Sequence, residues 1–179
     1  MTGKDNNMPK HFLKSLAIAF AVAAMAATFP QTSLAKEKFR DKTRLMTTNE
    51  LWQMYHNRTW FWSDGAGYFA NTGRKFSAYV KSDWDAGIAE GRWFVTAKGN
   101  ACFRAKWVGV GWQESSQTCF RNRTNGGVIF QRRLPDGKWY VFKHSPVRKG
   151  DEFTKLLLGD FVSERKNRNR KSIETLGKR

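Results

Sequence analysis

Asp64 and Glu90 are the residues in this sequence whose types and setting could do chemistry. Asp64 sits inside Trp60-Phe61-Trp62-Ser63-Asp64-Gly65-Ala66-Gly67-Tyr68-Phe69, and Glu90 opens Glu90-Gly91-Arg92-Trp93. Two carboxylates held roughly 5 to 9 Å apart can hydrolyse a glycosidic bond. The aromatic rings around them, Trp60, Trp62, Tyr68 and Trp93, are the side chains that would stack on a sugar face. These residues form the candidate ligand-facing set, together with Asp64, Glu90 and Arg92. A plainer reading competes with it. Gly65 and Gly67 supply turn conformations, Asp64 closes a turn, and alternate aromatics point into a core. Glu90 and Arg92 are two residues apart and so share one strand face, where they could form an ion pair. The sequence favours the plainer reading.

Other catalytic patterns are absent. His56 and His144 are scattered and belong to no metal-binding motif, whereas zinc wants three or four convergent ligands. No serine stands in a nucleophile elbow. We assign no catalytic residue, metal or cofactor.

Charge is the strongest functional clue. The chain carries 32 Lys and Arg against 15 Asp and Glu, a formal charge of +17. Clusters fall at Arg121 and Arg123, at Arg132 and Arg133, and at Lys143, Arg148 and Lys149. A further cluster is Arg165, Lys166, Arg168, Arg170 and Lys171. Interleaved cations and aromatics are typical of nucleic-acid binders, but the start of the chain argues for another setting.

Residues 1–35 have the layout of a signal peptide. Lys10, His11 and Lys14 precede an apolar stretch from Leu16 to Thr28, and Ser33-Leu34-Ala35 offers a cleavage site. The apolar run is shorter than the roughly 20 residues of a membrane span. Cleavage after Ala35 would leave a chain of formal charge +15 in the periplasm or outside the cell, with Lys36 first. Nucleic acid is not the expected partner there. Lipid head groups, lipopolysaccharide phosphates and acidic polysaccharides are. In an exported chain the two cysteines, Cys102 and Cys119, are most simply a disulfide. Val110-Gly111 lies midway between them, so a turn at that point would bring them opposite each other on an antiparallel ladder.

The elements follow from period and turn chemistry. Residues 36–46 read as a polar, extended arm. Thr47 and Glu50 form a capping box for a short helix over Thr48 to His56, with Leu51, Met54 and Tyr55 on its apolar side. The period then drops to two. Strands are expected at Thr59–Trp62, Tyr68–Phe69, Lys75–Lys81 and Ile88–Thr96. Four more follow at Ala101–Val108, Ser116–Asn122, Val128–Arg133 and Lys138–Lys143. About eight short strands with no crossover-length connection predict a mainly β domain over 47–162, a single antiparallel barrel-like or sandwich fold. Asp151 to Leu158 reads as a short helix, and 163–179 as a disordered basic tail.

The stretch from Leu51 to Val162 resembles an uncharacterised family of small exported bacterial proteins, domain of unknown function 995. The likeness rests first on Glu50-Leu51 with Tyr55, and on Thr59-Trp60-x-Trp62-Ser63-Asp64-Gly65-x-Gly67-Tyr68-Phe69. Glu90-Gly91-Arg92-Trp93-x-Val95-Thr96, Gly99-x-x-Cys102-Phe103 and Thr118-Cys119-Phe120 extend it. Asp136-Gly137-x-Trp139-Tyr140-x-Phe142-Lys143-His144 completes it. The resemblance implies a shared fold and export. It lends no reaction.

The expectation is therefore a non-enzymatic exported protein whose basic surface associates with an anionic polysaccharide, lipopolysaccharide or lipid head groups, with peripheral membrane contact. A lipocalin-like carrier of a small apolar ligand is the alternative, and would need an aromatic-lined cavity. An envelope glycan hydrolase, or an inhibitor of one, is the other.

Overall fold

The computed structural model describes residues 42–80 and 86–177. The expected leader at 1–35, most of the expected arm and the last two residues lie outside them. One antiparallel sheet dominates. Its strands are β1 (Arg44–Leu45), β2 (Arg58–Trp62), β3 (Gly65–Phe69), β4 (Lys75–Val80) and β5 (Gly87–Thr96). They continue with β6 (Asn100–Gly109), β7 (Trp112–Asn125), β8 (Val128–Arg133), β9 (Tyr140–Lys143) and β10 (Leu156–Leu158). Among the described residues two α-helices, α1 (Thr48–Tyr55) and α2 (Ser163–Leu176), and two short 3₁₀ turns, η1 (Thr72–Arg74) and η2 (Glu152–Lys155), accompany the sheet.

Strand order is β10-β2-β3-β4-β5-β6-β7-β8-β9, with β1 paired to β7. All pairings are antiparallel, as hairpin-linked strands allow. The sheet curls on itself as a half-barrel. Its end strands do not hydrogen-bond to each other. Side chains bridge the gap instead: Trp60 on β2 lies 5.0 Å from Phe120 on β7 and 5.8 Å from Phe142 on β9, ring centre to ring centre. The turn η2 packs against both β2 and β9. The expected barrel-like antiparallel domain is thus found, as a single curled sheet.

Alternation along the strands sends Trp60, Phe69, Phe76, Trp93, Phe103 and Phe142 to the concave side, where they form the core with α1. Phe76 and Phe103 stack at 4.4 Å, and Phe69 meets Phe76 at 5.2 Å. Such rings bury large areas and add orientation-specific attraction. The curl demands close approaches between neighbouring strands. A Cβ on Gly91 would come within 1.9 Å of the Arg104 carbonyl oxygen, so only glycine lets β5 and β6 pack there.

The cap of α1 is as expected. Thr47 accepts from the Glu50 amide, and the Glu50 carboxylate accepts from the Thr47 amide at 2.8 Å. Arg44 on β1 also grips Glu50, at 2.6 and 2.8 Å, and this bond holds the Glu50 carboxyl down at about 2. The arm therefore reaches the sheet through two paired residues. Cys102 and Cys119 are register partners on β6 and β7 and form a disulfide. The turn between them is Val110-Gly111, with Gly111 at φ +75°, a conformation glycine adopts without strain.

Two expectations fail at the C-terminal end. Residues 151–158 do not form one helix. They make η2 and then β10, which pairs with β2, leaving Leu157 and Leu158 exposed while Leu156 enters the core. The apolar spacing of Phe153, Leu156 and Leu157 resembled a helical face, but β2 had an unpaired edge to fill. The tail is not disordered either, since Ser163–Leu176 is α2. Asp160 caps it, accepting from the amides of Val162 and Ser163 at 2.9 and 3.0 Å. Glu164 pairs with Arg168 one turn on. Charge composition suggested a solvated coil, but the helix docks through polar groups: Asn169 is buried and donates to the Val80 carbonyl at 3.1 Å. Beneath its start, fully buried Val162 joins Ala66, Tyr79, Phe61 and Tyr68 in a second small core on the convex side.

A buried polar network braces the sheet at β7–β8. The Gln131 amide nitrogen donates to the Tyr55 hydroxyl at 2.8 Å and to Asn122 Oδ1 at 2.9 Å, and the Tyr140 hydroxyl donates to Gln131 Oε1. Burial raises Tyr55 and Tyr140 well above the usual phenol range, so both stay protonated.

Candidate functional site

The expected ligand-facing set does not converge. Trp60 and Trp62 face the concave side. Trp93 is fully buried in the core and donates to the Ala70 carbonyl at 2.8 Å. Tyr68 lies on the convex side, half-buried in the small core. Asp64 stays exposed at the β2–β3 turn beside Ser63. Glu90 and Arg92 share the convex face, as their spacing required, but they are not paired with each other. Glu90 is taken by α2, with Lys166 at 2.7 Å and Arg170 at 2.8 Å, and the Lys166 bond holds its carboxyl below the usual range. Neither cleft described below is lined by both Asp64 and Glu90.

What the sheet does assemble on its convex face is a row of cations. Register places Lys75 on β4 opposite Arg92 on β5, and Arg92 opposite Arg104 on β6. Adjacent strands lie about 4.8 Å apart, so three positive side chains stand side by side across three strands. All three are exposed. Their hydrogen bonds go to neutral acceptors: Arg92 to the Gly73 carbonyl at 3.2 Å, and Arg104 to Gln117 Oε1 at 2.8 and 3.0 Å. Among the described residues none of the three joins an ion pair. Like charges directly opposite on a sheet destabilise it, and here the fold carries that cost twice in succession. Lys106 extends the field on β6, and Arg121 stands opposite Arg132 where β7 meets β8. The one acid on this face of β5, Glu90, is already neutralised by α2.

The row begins in a groove of about 450 Å³ between the sheet and the start of α2, lined by Tyr68, Lys75, Ser77, Glu90, Arg92 and Lys166 among others. Several other expected surface cations are engaged within the fold. Arg123 bonds Thr43, Arg132 lies over the Trp139 ring at 5.4 Å, and Lys143 lies over Phe153 at 5.1 Å. Arg168 pairs with Glu164. Arg148, Lys149 and Lys171 are exposed, Arg165 is half-buried, and Arg121 bonds Asn100 Oδ1.

A second cleft lies inside the curl, with a volume of about 340 Å³. Trp60 and Trp62 from β2 form one wall. Phe103 and Trp107 from β6, with Thr118 and Phe120 from β7, form the other. Arg133 and Glu152 also line it. Glu152 accepts from Trp60 Nε1 at 3.0 Å and pairs with Lys155 at 2.8 Å.

Residues 16–162 match the family described as protein of unknown function (DUF995). The chain belongs to that family. The DUF995 match ends at Val162, so every strand lies within it while α2 lies beyond it. No curated protein and no solved structure matches the chain. The disulfide fits an oxidising compartment. Among the described residues no helix is long and apolar enough to cross a membrane, and no three His, Cys, Asp or Glu side chains gather as a metal site.

Lys75, Arg104, Trp107, Phe120 and Glu152 were not singled out from sequence. Part of the signal was present. Arg92 and Arg104 each lie six residues from Lys98, at the centre of the β5–β6 turn, just as the cysteines lie symmetrically about Val110-Gly111.

Proposed function

We propose that this protein is a non-enzymatic binding protein of the bacterial cell envelope that uses the convex cationic face to hold an anionic polymer. Its partner carries repeated phosphate or carboxylate groups, as acidic polysaccharide, lipopolysaccharide and anionic lipid surfaces do. In this reading residues 1–35 direct export, cleavage falls near Ala35, and the mature chain works in the periplasm or outside the cell. The observation that carries it is the Lys75–Arg92–Arg104 row. A disordered basic tail would attract any polyanion diffusely. A row fixed across three strands presents its charges at a set spacing, and the two arginines keep guanidinium N–H groups for bidentate contact with oxyanions.

The test is binding of residues 36–179 to acidic polysaccharide, lipopolysaccharide and anionic vesicles at low and physiological salt. Lys75→Gln/Arg92→Gln/Arg104→Gln should weaken the preferred partner about tenfold or more. Removing the same charge elsewhere, with Arg148→Gln/Lys149→Gln/Lys171→Gln, should weaken it far less. Equal losses from the two triple variants, or binding that disappears for every polyanion at physiological salt, would sink the proposal.

A further inference from the structure

We propose that the cleft inside the curl is a second, separate site that binds a small amphipathic carboxylate: an apolar body lying against the tryptophans and one carboxylate held by Arg133. The cleft sits on the concave side, whereas the cation row is convex, so this inference does not depend on the function proposed above.

Three observations point to this chemistry. The walls are mostly aromatic, contributed by Trp60, Trp62, Phe103, Trp107 and Phe120. The volume of about 340 Å³ falls at the lower end of the roughly 300 to 1,000 Å³ usual for small-molecule sites. The polar lining is asymmetric. Glu152 is the one acid in the lining, and both of its oxygens are committed, Oε1 to Trp60 Nε1 and Oε2 to the Lys155 ammonium. Its charge is balanced before any ligand arrives.

Arg133 is the one cation in the lining. It stands opposite Phe120 and alternates with buried Ile129 and Gln131, which directs it to the concave side. Among the described residues its guanidinium has no ion-pair partner. Arg133 is exposed beside the cleft, and its hydrogen bonds to an anionic head group would be charge-assisted, roughly twice as strong as neutral ones. Among other polar groups in the lining, the Thr118 hydroxyl can donate to the same head group. A ligand with a cationic head would face Arg133 and find no free carboxylate.

Decanoate and decanol make the discriminating pair, since they share a chain and differ in head-group charge. Tryptophan fluorescence reads the site directly, because Trp60, Trp62 and Trp107 line it. Residues 36–179 should bind decanoate saturably at one site and decanol at least tenfold more weakly. Arg133→Gln should remove most of that difference, and Trp107→Ala should weaken both ligands. Lys75→Gln/Arg92→Gln/Arg104→Gln should leave decanoate binding intact, which separates failure here from failure at the convex face. Equal affinity for decanoate and decanol overturns the proposal, as does absence of saturable binding to a folded protein. Unchanged decanoate affinity in Arg133→Gln overturns it too.

Discussion

Gln131 should be one of the most expensive polar side chains to remove from this protein. It is completely buried, and its amide serves three partners: the Tyr55 hydroxyl, Asn122 Oδ1 and the Tyr140 hydroxyl. Gln131→Met keeps nearly the same length and volume, so little cavity term enters. Two of the three groups left behind are buried with their other bonds unable to compensate. Tyr55 is 1% exposed, and Asn122 Oδ1 loses its donor while its amide nitrogen stays tied to the Phe120 carbonyl. Each such orphaned group costs about 1–3 kcal/mol. Tyr140 is 38% exposed and can turn to water, so it adds little. The expected loss is about 3–4 kcal/mol, a large part of the roughly 5–15 kcal/mol of a typical domain. At roughly 3 °C per kcal/mol for a domain of this size, the melting temperature should fall by about 10 °C. Urea unfolding followed by circular dichroism measures it. Tyr140→Phe also strips buried Gln131 Oε1 of its donor, but it orphans one group rather than two, so it should cost about 1–3 kcal/mol, less than Gln131→Met. A Gln131→Met loss below about 1 kcal/mol, or one no greater than that of Tyr140→Phe, would refute the reasoning.

Reducing the Cys102–Cys119 bond, or replacing both with Ser, should cost about 3 kcal/mol in the chain-entropy treatment of a loop of this length, seen as a lower urea midpoint with the β-sheet spectrum retained; no change would mean the hairpin is already closed in the unfolded chain. Acid sensitivity should trace mainly to the two most strongly depressed carboxyls, ahead of Glu90 and Asp160. Glu50 is held near 2, and so is Asp151, where bonds from the Arg148 and His144 amides and the His144 ring outweigh the desolvation that would raise it. Both folded values lie below the unfolded ones, so their stabilisation is complete above about pH 4.5 and is lost as pH falls toward 2. Asp151→Asn should flatten that fall in a urea-midpoint profile, and an unaltered profile would contradict this.

Local signals were legible in the sequence where neighbours in the chain are neighbours in space. Thr47 and Glu50 announced α1, and the turn at Val110-Gly111 announced the disulfide register. Val128–Arg133 was bounded by its turns as found. The illegible parts depend on partners far along the chain. Nothing near Leu156–Leu158 says strand, because the reason for it is the open edge of β2 about a hundred residues earlier. Nor does the composition of 163–176 reveal that Asn169 will meet the Val80 carbonyl. The candidate site suffered most. Its aromatic motif held residues of both strand faces, so the curl sent Trp60 and Tyr68 to opposite sides. The cation row spans three strands and exists only once their register is set.

Strand β10 also bears on how the protein avoids its own copies. Without it, β2 would offer a free backbone edge flanked by Trp60, Phe61 and Trp62, a ready template for a strand of another molecule. Three residues cover the Arg58–Trp60 part of that edge, and the Thr59 hydroxyl locks the cover by donating to the Gly159 carbonyl at 2.7 Å and accepting from the Phe161 amide at 3.1 Å. At Gly159, with φ of +111°, the backbone leaves the ladder, so the new edge is too short to recruit a partner in turn. A chain cut before Leu156 would keep most of its core yet lose this guard. Its first failure would be edge-to-edge association rather than unfolding.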